Sequence, residues 1–234
     1  MQKLFLEIIA TSLDDVIRIN DSEASRIELC ADMAADGLAP SRALIAQVTE
    51  ASRLPVRIMI RPTGRDFVYT SSEYDEMRQL IAFVKNIRAD GVVLGILEQN
   101  GELDLQRTAE LVALASPLPV TFHRAIEQVS DQVAAFSQLQ ALGVQSVLSS
   151  GNAKPLEEKL QLLKELNALG SPQLIVGGGI TERDIPVLAQ AGISCIHLGR
   201  AVREQASYAH PVLPAKINRF VDSAFTPAAT ARPD

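Results

Sequence analysis

The chain of 234 residues is long enough for one large α/β domain or two smaller ones, and 47% hydrophobic with 21% charged residues is the balance of a globular protein. A net charge of −6, with no basic run, argues against a nucleic-acid surface. No stretch approaches the ~18 apolar residues of a spanning helix, and Cys30 and Cys195 lack Cys-x-x-Cys framing, so reduced thiols in a cytoplasmic protein are expected.

The run from Met1 to Glu7 carries a charge within a short apolar stretch and reads as a first strand rather than a signal peptide. Strands are expected near 4–9, 26–30, 56–61, 91–95, 118–123, 144–149, 173–177 and 194–198. Helices fit near 12–20, 40–53, 72–88, 103–115, 130–142, 155–169, 181–191 and 210–224. Alternation of this kind, one β-α unit after another, matches a single-domain (β/α)8 TIM barrel over residues 1–225. A doubly wound open sheet is the alternative. The Pro/Ala/Thr-rich tail, 226–234, has no apolar period and is expected to be disordered.

In a barrel strand one phase packs on the helices and the other faces the axis, where polar groups are tolerable near the C-terminal mouth. With Leu4, Leu6 and Ile8 outward, Glu7 points inward. Ile27 and Leu29 outward leave Arg26, Glu28 and Cys30 inward. Ile58 and Ile60 outward leave Met59 and Arg61, and Val120 and Phe122 leave Thr121 and His123. Ile196 and Leu198 outward leave Cys195 and His197. Burying unpaired charge is costly, so pairing of Glu7 with Arg26 and of Glu28 with Arg57 is the purely structural alternative. After Arg61, Pro62 and Gly64 end the strand, and a loop with Arg65, Asp66, Phe67 and Tyr69 follows.

Gly177, Gly178 and Gly179 end the seventh strand ahead of a helix expected to open at Thr181-Glu182. Gly199 and Arg200 follow the eighth strand, and Ser150 follows the sixth. Glycines there let backbone N–H groups approach an anion, so these residues form a candidate phosphate cup. Asp66 and Arg124 complete the expected pocket.

The segments Arg26-Ile-Glu-Leu-Cys30, Gly37-Leu-Ala-Pro-Ser41, Met59-Ile-Arg-Pro62 with Gly64 and Asp66-Phe-Val-Tyr69, Gly91-Val-Val-Leu-Gly95, Pro119-Val-Thr-Phe-His-Arg-Ala125 and Gly177–Gly179 resemble the CutC family, named for copper homeostasis. The resemblance runs from residue 4 to about 200. It implies a cytoplasmic TIM barrel that is commonly oligomeric, a dimer first, with Cu(I) binding or trafficking. Where the family carries Gly-Gly-Ala-Asp before its Arg-Ile-Glu-Leu-Cys block, this chain has Asp21-Ser22-Glu23-Ala24-Ser25. After the sixth strand Ser149-Ser150-Gly151-Asn152 replaces Thr-Ser-Gly-Gly, and Leu198-Gly199-Arg200 departs from the family after the eighth.

Three functions follow as expectations. Cu(I) would use soft ligands, with Cys30, Met59, His123 and His197 as the metal candidates. An enzyme would use Glu7 or Glu28 as base, His123 as acid partner and Arg61 to orient a small phosphorylated or carboxylated metabolite, in an isomerase, epimerase or lyase. No lysine falls on an inward strand position, which argues against a Schiff base. A non-catalytic sensor of a small ligand would need the same pocket.

Overall fold

The computed structural model describes residues 4–152 and 155–223, and the tail expected to be disordered, 226–234, lies outside them. Each strand is short and apolar on its outward phase, so each leaves one face to cover with the helix that follows. Among the described residues eight strands and eight α-helices alternate: β1 (Phe5–Ala10), α1 (Leu13–Ile19), β2 (Arg26–Leu29), α2 (Arg42–Ala51), β3 (Val56–Met59), α3 (Ser71–Val84), β4 (Gly91–Leu94), α4 (Leu105–Ala115), β5 (Val120–Phe122), α5 (Gln132–Ala141), β6 (Ser146–Ser149), α6 (Leu156–Ala168), β7 (Gln173–Val176), α7 (Ile185–Gln190), β8 (Cys195–Leu198) and α8 (Pro214–Ser223). The strands close in sequence order, β8 pairing in parallel with β1. A (β/α)8 barrel results, and the open sheet is excluded.

Local chemistry sets the helix starts. Ser12, Ser41, Thr70, Asp104 and Asp131 each accept a backbone N–H from the first turn of the helix they precede. Thr70 and Glu73 cap each other reciprocally.

The expected helix over 181–191 is corrected. Glu182–Asp184 is a 3-10 turn, and α7 begins only at Ile185. The Asp184 carboxylate folds back to accept from the Thr181 N–H at 2.7 Å and its hydroxyl at 2.9 Å.

The main core is the annulus between strands and helices, where Leu6, Ile8, Ile27, Ile58, Phe122 and Phe136 are fully buried. Each such side chain contributes roughly 1.5–3 kcal/mol. The barrel interior is a separate volume. Ile9, Cys30, Met59 and Val93 form one apolar cluster inside it, and Leu148, Ile175 and Cys195 form another with Phe5 against it. Between them lies a polar belt made by Glu7, Arg26, Glu28, Arg57, Thr121 and His197, all buried.

Candidate active site at the C-terminal mouth of the barrel

The register of β1, β2 and β8 builds the floor of the site. Glu7 pairs with Arg26 on one side and with His197 on the other. Arg26 Nε donates to Glu7 Oε2 at 2.6 Å, and His197 Nδ1 lies 2.9 Å from Glu7 Oε1. Both Glu7 oxygens are thus engaged. Burial alone would raise its pKa, but the His197 hydrogen bond and the Arg26 charge outweigh it and hold Glu7 at about 2.

Two strands away, Glu28 turns toward the same histidine. Its Oε2 is 3.8 Å from His197 Nε2 and accepts from the Cys30 thiol at 3.2 Å. Its Oε1 has no partner. Arg57, the partner of Glu28 in the purely structural alternative, donates instead to the Thr121 hydroxyl. Burial raises the Glu28 pKa, and the charge of Glu7 adds to the effect. Burial also lifts the Cys30 thiol well above its ordinary value, with Glu28 reinforcing it. The His197 pKa is raised as well, which for an imidazole favours the charged form. Burial disfavours its charged form, but Glu28 and Glu7 together raise its pKa. The ligand atoms of Glu7, Glu28 and His197 lie within 4.8 Å of one another. Because Arg26 and His197 already occupy Glu7, this group is a hydrogen-bonded network more than an open metal cage.

The β3 and β5 side forms one wall. The Arg61 Nη1 group donates to Ala35 O at 2.7 Å, and the guanidinium stacks 4.8 Å from the Phe67 ring centre. The His123 imidazole packs on the same ring at 4.9 Å. His123 Nδ1 accepts from the Ala125 N–H at 3.2 Å, which places the ring proton on Nε2, an atom with no partner. Burial and the Arg61 charge lower the His123 pKa to about 3, so this imidazole is neutral. A Cβ on Gly95 would overlap the His123 ring, so glycine there lets the ring lie across the end of β4.

The opposite rim carries the candidate phosphate cup. Gly178 and Gly179 have positive φ, as glycine permits. The Gly177 N–H is already spent on Ser149 O at 3.1 Å. The Ser150 N–H donates to Glu127 at 2.6 Å, and Glu127 also pairs with Arg124 at 3.0 Å. An internal carboxylate therefore takes the β6 end of the cup, and Asp184 takes the turn after β7. Arg200 is exposed at the mouth and makes no side-chain hydrogen bond or ion pair among the described residues. Asp66 accepts from the Val68 N–H at 3.0 Å and from Arg65 at 3.2 Å, which shapes the β3 loop.

These walls enclose a cavity of about 570 Å³. Glu28, Cys30, Met59, Arg61, Asp66, His123, Arg124, Gly178, Gly179, His197, Gly199 and Arg200 line it, while Glu7 lies behind His197. Among the lining residues that lacked a signal in the sequence are Met33, Glu127 and Tyr208. Met33 and Glu127 sit in short 3-10 turns, and Tyr208 in an irregular segment, where neither strand nor helix period applies.

A closed parallel barrel with a ligand-sized polar cavity at its C-terminal mouth defines a (β/α)8-barrel protein of the binding or catalytic kind. The chain belongs to the CutC family, whose model matches residues 4–202. It is 38% identical over 191 residues to the CutC family protein of Klebsiella pneumoniae (strain 342), covering 80% of this chain and 77% of that one. It is 36% identical over 195 residues to the human copper homeostasis protein cutC homolog, covering 82% and 71%. A crystal structure of CutC from Streptococcus agalactiae aligns with a TM-score of 0.78 at 32% identity, covering 84% of this chain and 98% of that one. Thiamine phosphate pyrophosphorylase from Pyrococcus furiosus shares the fold, with a TM-score of 0.60 at 14% identity over 95% of this chain and 98% of that one. Among the described residues no helix is long and apolar enough to cross a membrane.

Proposed function

We propose that the cavity binds a small anionic metabolite and moves a proton on it, which places the chain among isomerases, epimerases or lyases. One observation carries the reading. His197 lines the cavity with its Nδ1 held by Glu7 and Glu7 by Arg26, while its Nε2, without a hydrogen bond among the described residues, has Glu28 Oε2 3.8 Å away. An imidazole oriented through one nitrogen, with a carboxylate beside the other at the cavity wall, is an arrangement suited to proton transfer. Arg200 supplies the cation left for the ligand's charge, and Arg61 the fixed one across the cavity. His123, neutral and donating from Nε2, favours an acceptor oxygen on the ligand. Glu28, raised by burial, sits beside His197 as a second proton carrier.

Titration calorimetry with inorganic phosphate and 2-phosphoglycolate tests the binding, with Arg200→Ala as the variant expected to lose it. Deuterium exchange from solvent into carbon-bound positions of phosphorylated and carboxylated metabolites, followed by NMR, tests the proton transfer. His197→Asn should abolish exchange while leaving the fold intact. Absence of binding by either probe would sink the reading, and binding without exchange would leave a ligand sensor.

A second reading makes Cu(I) the cargo. The Cys30 and Met33 sulfurs lie 3.6 and 3.5 Å from the point where a Cβ on Gly37 would stand, so both flank one gap, and Met59 packs in the same cluster. Three sulfurs suit a soft cation, and relatives carry the name copper homeostasis protein. The protonated, Glu28-bound thiol makes this the weaker fit. Anaerobic Cu(I) titration under chelator competition tests it. One equivalent bound beyond about −16 kcal/mol and lost in Cys30→Ser is the expected result for a copper carrier. The proposal places the protein in the cytoplasm as a dimer, which sedimentation would check.

A further inference from the structure

Tyr208 lies outside the residues matched by the family model, 4–202, yet it lines the cavity. Three constraints hold it there. Its ring packs against the interior cluster of Ile9, Cys30, Met59 and Val93. The Arg203 guanidinium sits 5.0 Å from its ring centre, and Arg203 is itself clamped to Asp15 at 2.5 and 3.0 Å and to Ile9 O at 3.3 Å. Its hydroxyl fills the space where Gly199 lacks a side chain, for a Cβ on Gly199 would overlap it. That last relationship changes the meaning of Gly199. With φ −121° and ψ −94° Gly199 is no left-handed turn, and the lack of a side chain there is what admits the Tyr208 hydroxyl.

The hydroxyl makes no hydrogen bond among the described residues. Burial raises its pKa, and the nearby Cys30 and Glu28 add to the effect, so it stays a phenol and a donor. A half-buried donor, held in place from three sides and without an acceptor, is a contact awaiting a ligand atom.

We infer that Tyr208 is a substrate-contacting residue, its hydroxyl donating a hydrogen bond to a ligand oxygen beside Glu28 and Cys30. The inference rests on the anion-binding reading and adds a second requirement to the ligand. With its charged group at Arg200, the ligand carries a further acceptor oxygen for Tyr208, as a phosphorylated hydroxy or oxo acid does.

The two probes separate the claims. Inorganic phosphate offers only the charged group, while 2-phosphoglycolate adds a carboxylate. Tyr208→Phe should weaken 2-phosphoglycolate about tenfold and leave phosphate unchanged within about twofold. Gly199→Ala, whose methyl group displaces the Tyr208 hydroxyl, should weaken 2-phosphoglycolate similarly. The chain has no tryptophan and three tyrosines, so the near-ultraviolet tyrosine difference spectrum reports the contact directly. Of the three, Tyr69 and Tyr74 belong to the main core, and Tyr208 is the one that lines the cavity among the described residues. Ligand binding should shift that spectrum in the wild type and not in Tyr208→Phe. If 2-phosphoglycolate binds equally to both, Tyr208 makes no such contact, and the anion site stands without it. If neither probe binds the wild type, the anion site falls and this inference falls with it.

Discussion

Glu7 and His197 are register partners across the β1–β8 seam, with Oε1 2.9 Å from Nδ1. The two residues are 190 positions apart, and only closure of the barrel brings them together. Arg26 completes the set from β2. Glu7 thereby does two jobs: it neutralises a buried guanidinium and it orients the imidazole. Glu7→Gln removes the charge and leaves Arg26 buried without a counter-ion. The expected cost is about 3–5 kcal/mol in urea unfolding. NMR titration of His197 should show its pKa fall, because one of the two carboxylates that raise it is gone. An unchanged His197 titration would show that Glu28 alone governs it.

Stability should fall on acidification from two sources. His123 is held at about 3 when folded against 6.5 when free, so the unfolded chain binds more protons between these values. Its contribution is present above pH 6.5 and lost as pH falls toward 3, about 5 kcal/mol in all. Glu7, held at about 2 against 4.5, contributes stability present above pH 4.5 and lost as pH falls through 2. His197 acts with opposite sign: its pKa is raised above 6.5, so its contribution is present below 6.5 and lost as pH rises through the folded value. Urea unfolding across pH should therefore show a maximum, with decline on either side. His123→Gln should flatten the limb between pH 6.5 and 3 and leave the steeper acid limb of Glu7. An unaltered limb in that variant would contradict a neutral buried His123.

Gly95 and His123 make a pair that a methyl group would break. A Cβ at Gly95 would overlap His123 Cε1 and Nδ1 and stand 3.1 Å from the Ala125 Cβ. Gly95→Ala should cost about 1–3 kcal/mol through overpacking. Much of that should disappear in the His123→Ala background, because the clashing ring is gone. A double-mutant cycle measures the coupling. An additive result would show that the strain lies in the β4 backbone and not against the imidazole.

The inward phase was legible because β1, β2, β3, β5 and β8 alternate apolar and polar residues with period two. That period alone aims Glu7, Glu28, Arg61, His123 and His197 at the axis. The partners were less legible. Strand register sets Glu28 beside Arg57, which makes an ion pair the structural alternative, but side-chain reach inside the barrel joins Glu28 to Cys30 and His197, while Arg57 turns to Thr121. The turn at Thr181 misled for a physical reason. Thr181 and Asp184 have the spacing of a capping box, which signals a helix start, yet here they close a 3-10 turn. Glu127 could not be foreseen as the resident anion beside Ser150, since its role depends on where β5 and β6 end relative to each other. Tyr208 belongs to the irregular chain after β8, where no periodicity says which side chain folds back over the mouth.

Arg203 and Asp15 tie that irregular chain to the start of α1. Arg203 is 1% exposed and Asp15 3%, and the guanidinium also donates to His210 O at 3.0 Å. Lys216 adds a bond from its Nζ to Arg203 O at 2.7 Å. Asp15 is held in turn by the Thr11 N–H at 2.8 Å and the Thr11 hydroxyl at 2.9 Å, so it has little freedom to follow a displaced arginine. Asp15→Asn keeps the volume and removes the charge, leaving Arg203 buried with only neutral acceptors. The expected loss is about 3–5 kcal/mol, measured by urea unfolding. Asp15→Asn should also loosen the segment that carries Tyr208, seen as faster acrylamide quenching of tyrosine fluorescence in the folded variant. Arg203→Met, which removes the buried charge along with the clamp, should cost less than Asp15→Asn while loosening Tyr208 as much. If Arg203→Met proves the more destabilising of the two, the clamp acts through packing around Arg203 and not through the charge it buries.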